Sequence, residues 1–246
     1  FIKRKPFTTS MTITTETQTL RVGDGEMGIY IARPETGRAP ALIVLQEAFG
    51  VTDHIKDITQ RFAEQGYLSI APELFHRTAP PGFTAPYGGD FSVLAPHMQA
   101  VTPEHITEDV IAVHEWLLRD SQFDKAHLGA IGFCLGGRCA IIANATLPLK
   151  AAVSFYGGVP PNLEDTVRDQ HGPALFYWGG MDAHLGPELR RGLIDAMSKA
   201  GKQFINVEIS DAGHGFFRNV GTTYNPNAAR QAWALTLSFL ATHLKP

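Results

Sequence analysis

The segment Ile131-Gly132-Phe133-Cys134-Leu135-Gly136-Gly137 constrains the fold more than any other part of this sequence. A short apolar run precedes it and a helical pattern follows it, which predicts a sharp strand-to-helix turn. Bulky side chains do not fit two residues before or after the centre of such a turn, so glycines stand there. The pattern is G-x-S-x-G with cysteine in place of serine, and it exposes Cys134 at a helix N-terminus. A buried structural cysteine at the same joint is the alternative interpretation.

Short apolar runs alternate with helical patterns along most of the chain. Residues 12–32 alternate around Gly23 and Gly25, which predicts a β-hairpin. Further strands are predicted at 39–45, 67–71, 127–133, 151–156, 174–178 and 204–209, and helices at 53–65, 103–119, 136–145, 187–200 and 227–243. This alternation predicts an α/β fold with a mostly parallel central sheet and helices on both faces. Ligands bind such sheets at the carboxyl ends of the strands.

One α/β domain is expected over residues 11–246, and residues 1–10 are expected to be an added or disordered segment outside it. Hydrophobic residues make up 44% of the 246 residues and charged residues 18%, which is enough apolar material for a sizeable core. The net charge of −3 gives no reason to expect a nucleic-acid partner. Residues 75–101 are rich in proline and glycine and lack a clear period, which is typical of a functional or mobile loop.

The two cysteines bear on the compartment of the protein. Cys134 and Cys139 lie five residues apart across a turn and a helix, where their side chains point in different directions. No disulfide between them is expected, and Cys139 is interpreted as a packed small hydrophobic residue. Two thiols without a disulfide framework favour a reducing, cytoplasmic location. No apolar run approaches the roughly 18 residues of a membrane span, so no membrane partner is expected.

Two later strand ends carry the residues that complete a catalytic triad. Asp182 follows the strand predicted at 174–178, and His214 stands between glycines after the strand predicted at 204–209. Nucleophile, acid and histidine appear in the chain order that α/β hydrolases use. We expect His214 to act as base, Asp182 to orient it, and the Leu135 amide to bind an oxyanion. Taken alone, Asp182 is equally a turn residue or a helix cap, and one histidine among ten indicates little.

Over roughly residues 17–243 the chain resembles the dienelactone hydrolases, also called carboxymethylenebutenolidases. The motifs that carry the resemblance are Gln46-Glu47-Ala48-Phe49-Gly50, Ala71-Pro72-Glu73-Leu74-Phe75, the segment around Cys134, Gly179-Gly180-Met181-Asp182 and Gly213-His214-Gly215-Phe216. Cysteine at the centre of the turn is the most specific of them. The segment after Arg77 lacks the tyrosine that the family places there, which leaves the substrate open.

The resemblance implies roles for further residues. Glu47 would contact the nucleophile and control its ionisation, and the Ala48 amide would be the second oxyanion donor. Arg77 and Arg218 would hold a substrate carboxylate, a task that suits the planar guanidinium group. Ordinary polar loop and surface positions are the alternatives for Glu47 and for both arginines. Among the aromatic residues near these motifs, Phe49 and Phe217 are predicted to contact substrate.

Three functions are compatible with these residues. The first is hydrolysis of a small ester or enol-lactone through a covalent acyl-enzyme formed on Cys134. The second is a broad carboxylesterase or thioesterase that uses the same triad and also accepts activated phosphoryl esters. The third is a non-catalytic binding protein, because a fold does not by itself determine a function. No cofactor is expected, and no metal, because the histidines lack metal-binding spacing. A monomer or weak homodimer is expected.

Overall fold

A central sheet organises the computed structural model, which describes residues 11–23, 25–35 and 37–245. Its eight strands in this part of the chain are β1 (Ile13–Val22), β2 (Gly25–Pro34), β3 (Ala39–Leu45), β4 (Leu68–Pro72), β5 (Phe123–Phe133), β6 (Ala151–Phe155), β7 (Ala174–Gly179) and β8 (Phe204–Ile209). They lie in the order β1-β2-β4-β3-β5-β6-β7-β8. β2 pairs antiparallel with β1 and with β4, and the other neighbours are parallel.

Helices cover both faces of this sheet. They are α1 (Asp53–Glu64), η1 (Phe91–Leu94, a 3-10 helix), α2 (Ala95–Gln99), α3 (Pro103–Arg119), α4 (Leu135–Thr146), α5 (Leu163–Arg168), α6 (Pro187–Lys199) and α7 (Pro226–Leu244). Buried side chains of α1 and α7 form one core cluster, and those of α3 and α4 form a second. A third cluster joins α5 and α6 to β7. None of the described helices has the length and apolar character to cross a bilayer.

The central strands are buried on both faces, as their apolar runs predict. In β7, Leu175 and Tyr177 belong to the cluster under α1 and α7, whereas Ala174, Phe176 and Trp178 belong to the cluster under α6. Successive side chains of a strand point to opposite faces, so this strand contributes to two cores at once. Its ends are thereby fixed relative to the helices on both sides.

The predicted α/β-hydrolase class is confirmed by the mostly parallel sheet and its flanking helices. The predictions for β3, α3 and β8 match the structure residue for residue. β5 begins at Phe123, four residues before its predicted start. The prediction began late because the half-buried and exposed residues 124–126 separate buried Phe123 from the apolar run. α5 was not predicted, since six residues with one buried side chain, Val167, show no helical period. The expectation for residues 1–10 lies outside the described residues.

Residues 75–101 lack a helical period over most of their length, as predicted, but end in η1 and α2. The segment after β3 contacts this loop closely. Ala85 donates a backbone hydrogen bond to the Phe49 carbonyl at 3.0 Å, and Gly50 pairs with Thr84 as an isolated bridge. Gly50 has φ +86°, and a side chain there would lie 2.2 Å from the Phe83 carbonyl oxygen. Glycine at position 50 therefore lets the loop lie against the carboxyl end of the sheet.

Candidate active site

The turn between β5 and α4 has the strained geometry that its glycines predicted. Cys134 lies at φ 54° and ψ −113°, a conformation that side-chain-bearing residues rarely adopt. A Cβ on Gly132 would lie 1.8 Å from the Gly136 carbonyl oxygen, and one on Gly136 would lie 2.1 Å from the Leu45 oxygen. The Cys134 amide donates to the Phe155 carbonyl at 3.0 Å. The thiol is consequently held at the N-terminus of α4, on the carboxyl edge of the sheet.

The order of the strands brings the predicted site residues to the same edge. β3 lies between β4 and β5, so the chain moves to opposite sides of β3 after successive crossovers. Crevices form where the direction of winding reverses in this way, and they are the usual ligand sites of open α/β sheets. Glu47 and Ala48 follow β3 at this point, and Cys134 and Leu135 follow the adjacent β5.

His214 and Asp182 form a hydrogen-bonded pair. His214 Nδ1 lies 2.8 Å from one carboxylate oxygen of Asp182. The other oxygen accepts hydrogen bonds from the backbone amides of His184, at 2.8 Å, and Leu185, at 3.1 Å. Burial opposes ionisation of Asp182, but the bond with His214 and these amides lower its pKa. The side chain of Asp182 is therefore a fixed, charged acceptor that orients the imidazole ring.

The charge of His214 depends on its two polar neighbours. Burial of the ring lowers the pKa of His214, but the interactions with Asp182 and with the Cys134 thiol outweigh it and raise that pKa to about 10. The contacts with Asp182 and Cys134 therefore favour the protonated form of the ring. Cys139 differs, because complete burial raises the pKa of its thiol to about 12. Its interpretation as a packed residue agrees with its position inside the core beside α3.

Glu47 lies beneath the pocket, in contact with Arg218. Its carboxylate is 1% exposed and lies 3.5 Å from Arg218 Nη1, and its second oxygen has no described partner. Burial raises the pKa of Glu47, against the opposing effects of the Arg218 charge and of Tyr87. The guanidinium of Arg218 also lies 4.4 Å from the ring centroid of Tyr87 and 5.6 Å from that of Phe49. Arg218 is therefore held between a buried carboxylate and two aromatic rings.

The amides predicted to bind an oxyanion lie next to Cys134. Ala48 and Leu135 both line the cavity that contains the Cys134 side chain, and both residues are buried. Leu135 is the first residue of α4, so its amide has no partner within the helix. Within the described part of the chain, neither amide donates to another protein group. Both are therefore available to a group bound above the thiol.

A cavity of about 770 Å³ opens above Cys134. This volume is within the range of about 300–1,000 Å³ that small-molecule sites occupy. Phe91 and Met181, which are 53% and 70% exposed, lie at its mouth. The full lining is Ala48, Phe49, Gly88, Gly89, Phe91, Met98, Cys134, Leu135, Arg138, Tyr156, Gly158, Met181, Ala183, His184, Leu185, Gly213, His214, Arg218 and Thr223. The loop of residues 75–101 thus supplies part of one wall.

Two predicted substrate contacts lie away from this cavity. Arg77 donates to Asp109 and to Glu108 on α3, each at 2.8 Å, and its guanidinium is occupied there. Phe217 is 4% exposed and packs on Phe133, with ring centroids 5.5 Å apart. The structure therefore corrects both predictions, because acidic residues on α3 hold Arg77 and the aromatic core encloses Phe217. Phe49 and Arg218 line the cavity, and their contact with substrate stays a prediction.

The sequence did not predict four residues of the site. Tyr87 reaches it from the loop and shares a 2.7 Å hydrogen bond with Thr52. Tyr156 follows β6 at φ 39°, and its ring centroid lies 5.1 Å from that of His214. Arg138 and His184 also line the cavity. Only Arg138 had a signal, since it lies one helical turn after Cys134 and so on the same helix face.

No metal centre accompanies these side chains in the described residues. Across 11–23, 25–35 and 37–245, no group of three or more histidine, cysteine or acidic side chains is placed to hold a metal ion. The carboxylates of Glu47 and Asp182 are engaged with Arg218 and His214.

The sheet order and the strained turn at Cys134 place the chain among the α/β-hydrolase-fold proteins. It belongs to the dienelactone hydrolase family, whose family model matches residues 27–244. A Salmonella typhimurium protein assigned as a carboxymethylenebutenolidase is 34% identical over 228 residues, covering 88% of this chain and 83% of that protein. The chain is therefore an ester or lactone hydrolase by family, as its motifs predicted.

Solved structures agree with this assignment. A Klebsiella pneumoniae protein assigned as a dienelactone hydrolase has a TM-score of 0.86 and 30% identity, covering 94% of this chain and 99% of its own. A dienelactone hydrolase-like promiscuous phosphotriesterase from metagenomic libraries has a TM-score of 0.83 at 21% identity, covering 94% of this chain and 98% of its own. The second likeness concerns the fold alone. The predicted family and fold are confirmed, and the roles of individual residues stay predictions.

Proposed function

We propose that this chain hydrolyses a small ester or enol-lactone through a thioester intermediate on Cys134. The observation that carries the proposal is the placement of Cys134 in a strained turn beside the hydrogen-bonded pair of His214 and Asp182. A thiolate and an imidazolium next to each other form the activated nucleophile of cysteine hydrolases. Family membership supports the same reaction class.

The reaction follows from the position of each group. The Cys134 thiolate attacks the ester carbonyl carbon. The resulting oxyanion accepts hydrogen bonds from the amides of Ala48 and Leu135. When the carbon–oxygen bond breaks, the leaving oxygen takes the proton of His214, and a thioester to Cys134 remains. His214, now neutral, removes a proton from water, which attacks the thioester carbonyl. The acid product leaves, Cys134 departs as a thiolate, and His214 is protonated again.

Asp182 and Glu47 have supporting roles in this mechanism. Asp182 fixes the imidazole ring through its Nδ1 bond, so the other ring nitrogen faces the reaction. Glu47 keeps Arg218 in place at the cavity wall through their 3.5 Å contact. Its burial raises its pKa, whereas the charges of Arg218 and His214 lower it. Both carboxylates therefore act through another residue rather than on the substrate.

The proposal is tested with a dienelactone and a neutral aryl acetate on one preparation of the enzyme. A lactone preference of a hundredfold or more in kcat/KM, about 2.7 kcal/mol of transition-state stabilisation, supports an acidic lactone as substrate. Cys134→Ala is expected to abolish turnover of both compounds. The matched control is Cys139→Ala, which removes the buried thiol outside the cavity. The mechanism would be excluded if Cys134→Ala still turned over the substrates and the wild-type enzyme showed no acyl adduct by mass spectrometry.

The size and lining of the cavity favour a second candidate, a broad carboxylesterase or thioesterase. Phe91, Met98, Met181 and Leu185 contribute large apolar side chains to its wall. Such a surface suits the apolar part of an ester larger than a dienelactone. A neutral ester that equals or exceeds the lactone in the experiment above favours this reading and leaves the role of Cys134 intact. Activity on phosphoryl esters stays a prediction.

A further inference from the structure

Arg138 occupies a position next to the nucleophile that the mechanism above does not use. It lies four residues after Cys134 on α4, and its amide lies 3.4 Å from the Cys134 carbonyl oxygen. Residues four apart share one face of a helix, and helical side chains lean towards the N-terminus. The Arg138 side chain accordingly lines the same cavity as Cys134.

The positive charge of Arg138 has no acidic partner among the described residues. Its one described side-chain bond is from Nη2 to the Val101 carbonyl oxygen, at 3.3 Å. Arg218, in contrast, is paired with Glu47, and Arg77 is paired with two acidic residues of α3. A guanidinium carries five N–H donors, so most of those of Arg138 remain available.

The described lining of the cavity also supplies no acidic side chain that would neutralise the charge of Arg138. Of the residues that the structure describes, Arg138, Arg218 and His214 line it, and no aspartate or glutamate does. Glu47 lies behind the wall and Asp182 faces His214, so each of these carboxylates is matched by a cation already in contact with it. An arginine held by one backbone carbonyl at the edge of an apolar cavity is a preorganised anion site.

We infer that Arg138 binds the anionic group of the substrate and makes the enzyme selective for esters and lactones that carry a carboxylate. This inference rests on the proposed function for its kinetic consequence. It gives Arg138 the task that the family resemblance implied for Arg77. The apolar remainder of the substrate would then lie against the wall that contains Met98, which precedes Val101 by three residues.

The first experiment measures anion binding without any ester. Iodoacetate and iodoacetamide both alkylate a thiolate with loss of iodide, and they differ mainly in the carboxylate. The ratio of their rate constants at Cys134 therefore reports the attraction of the pocket for an anion. Arg138→Gln is expected to lower the iodoacetate-to-iodoacetamide ratio about tenfold, and Arg138→Lys less, because lysine keeps the charge. Arg230→Gln, a change at an exposed position on α7, is the control.

The second experiment compares the 4-nitrophenyl monoester of succinic acid with 4-nitrophenyl butyrate. For Arg138→Gln we expect the acidic-to-neutral ratio of kcat/KM to fall at least tenfold, mainly through a higher KM for the acidic ester. A ratio of two substrates on one sample is independent of the fraction of folded enzyme. Unchanged ratios in both experiments overturn the assignment of Arg138. A wild-type enzyme that hydrolyses no ester but shows the Arg138-dependent alkylation ratio overturns the proposed function alone.

Discussion

The protonation of His214 is the residue-scale property on which the chemistry depends most. Its pKa is raised to about 10, so the ion pairing of the protonated ring contributes to the free energy of unfolding. For a histidine with a raised pKa, this contribution is complete below the unfolded value of about 6.5 and is lost as the pH rises through the folded value. Asp182, whose pKa is lowered, contributes above its unfolded value and loses that contribution as the pH falls.

The ring of His214 is therefore expected to titrate near pH 10 in the folded protein. In Asp182→Asn the ring loses its charged acceptor, so its pKa should fall towards the ordinary value. The measurement is the pH dependence of the His214 ring carbon and proton shifts by NMR. For the same variant kcat/KM should fall by about 10²–10⁴, because the imidazolium is less stabilised. A wild-type ring that titrates near pH 6.5 would contradict the ion pair.

Glu47 gives a second prediction at the residue scale, with the opposite sign. Burial raises the pKa of Glu47, so its ionisation costs stability as the pH rises from its unfolded value of about 4.5. Relative to wild type, the unfolding free energy of Glu47→Gln is expected to increase between pH 4 and pH 7. Urea unfolding at both pH values measures it, with Glu26→Gln at an exposed position as the control. A gain that does not depend on pH would show that the charge is not the cause.

At the scale of elements, the turn between β5 and α4 joins fold and site. Gly132→Ala would place a Cβ 1.8 Å from the Gly136 carbonyl oxygen, a clash with backbone that cannot rotate away. We expect a loss of several kcal/mol in stability, or failure to fold, because the strand and helix must separate. Thermal unfolding monitored by circular dichroism would measure the loss. A stable variant with wild-type activity would mean that the turn is more adaptable than its geometry indicates.

Gly192 on α6 is the matched comparison for that substitution. It is exposed, and a Cβ there would meet no atom of the described residues within 4 Å. Gly192→Ala is expected to stabilise the protein by about 1 kcal/mol, because alanine costs less backbone entropy in a helix than glycine. The melting temperature should rise by about 2–4 °C for a chain of this size. A lower melting temperature would indicate that α6 does not tolerate alanine there.

At the scale of the whole molecule, the sheet edge, the loop of residues 75–101 and the turn after β7 together enclose the cavity of about 770 Å³. Neutral 4-nitrophenyl esters of increasing acyl length test how much of it a substrate can use. Each buried methylene contributes about 0.8 kcal/mol, so kcat/KM should rise up to about fourfold per methylene until the wall is reached. A steady decline beyond the acetate would restrict the enzyme to small substrates.

The sequence by itself determined the class of fold, and it predicted the nucleophile. Local signals were sufficient because apolar runs define strands buried on both faces, and glycines around Cys134 define a turn that few folds contain. Asp182 and His214 were found from their places after later strands, and Glu47 and Ala48 from the resemblance. Their positions along the chain place them all at the same edge of a parallel sheet.

The tertiary structure decided which charged and aromatic side chains face the cavity. Arg77 is held by α3 and Phe217 lies in the core, while Arg138 and Tyr87 face the site. These outcomes depend on contacts between segments distant in the chain, such as the ion pair of Arg77 with Asp109. A sequence motif fixes the backbone of its own segment. It does not fix the partner that a long side chain finds across the fold, because packing and charge of other elements select that partner.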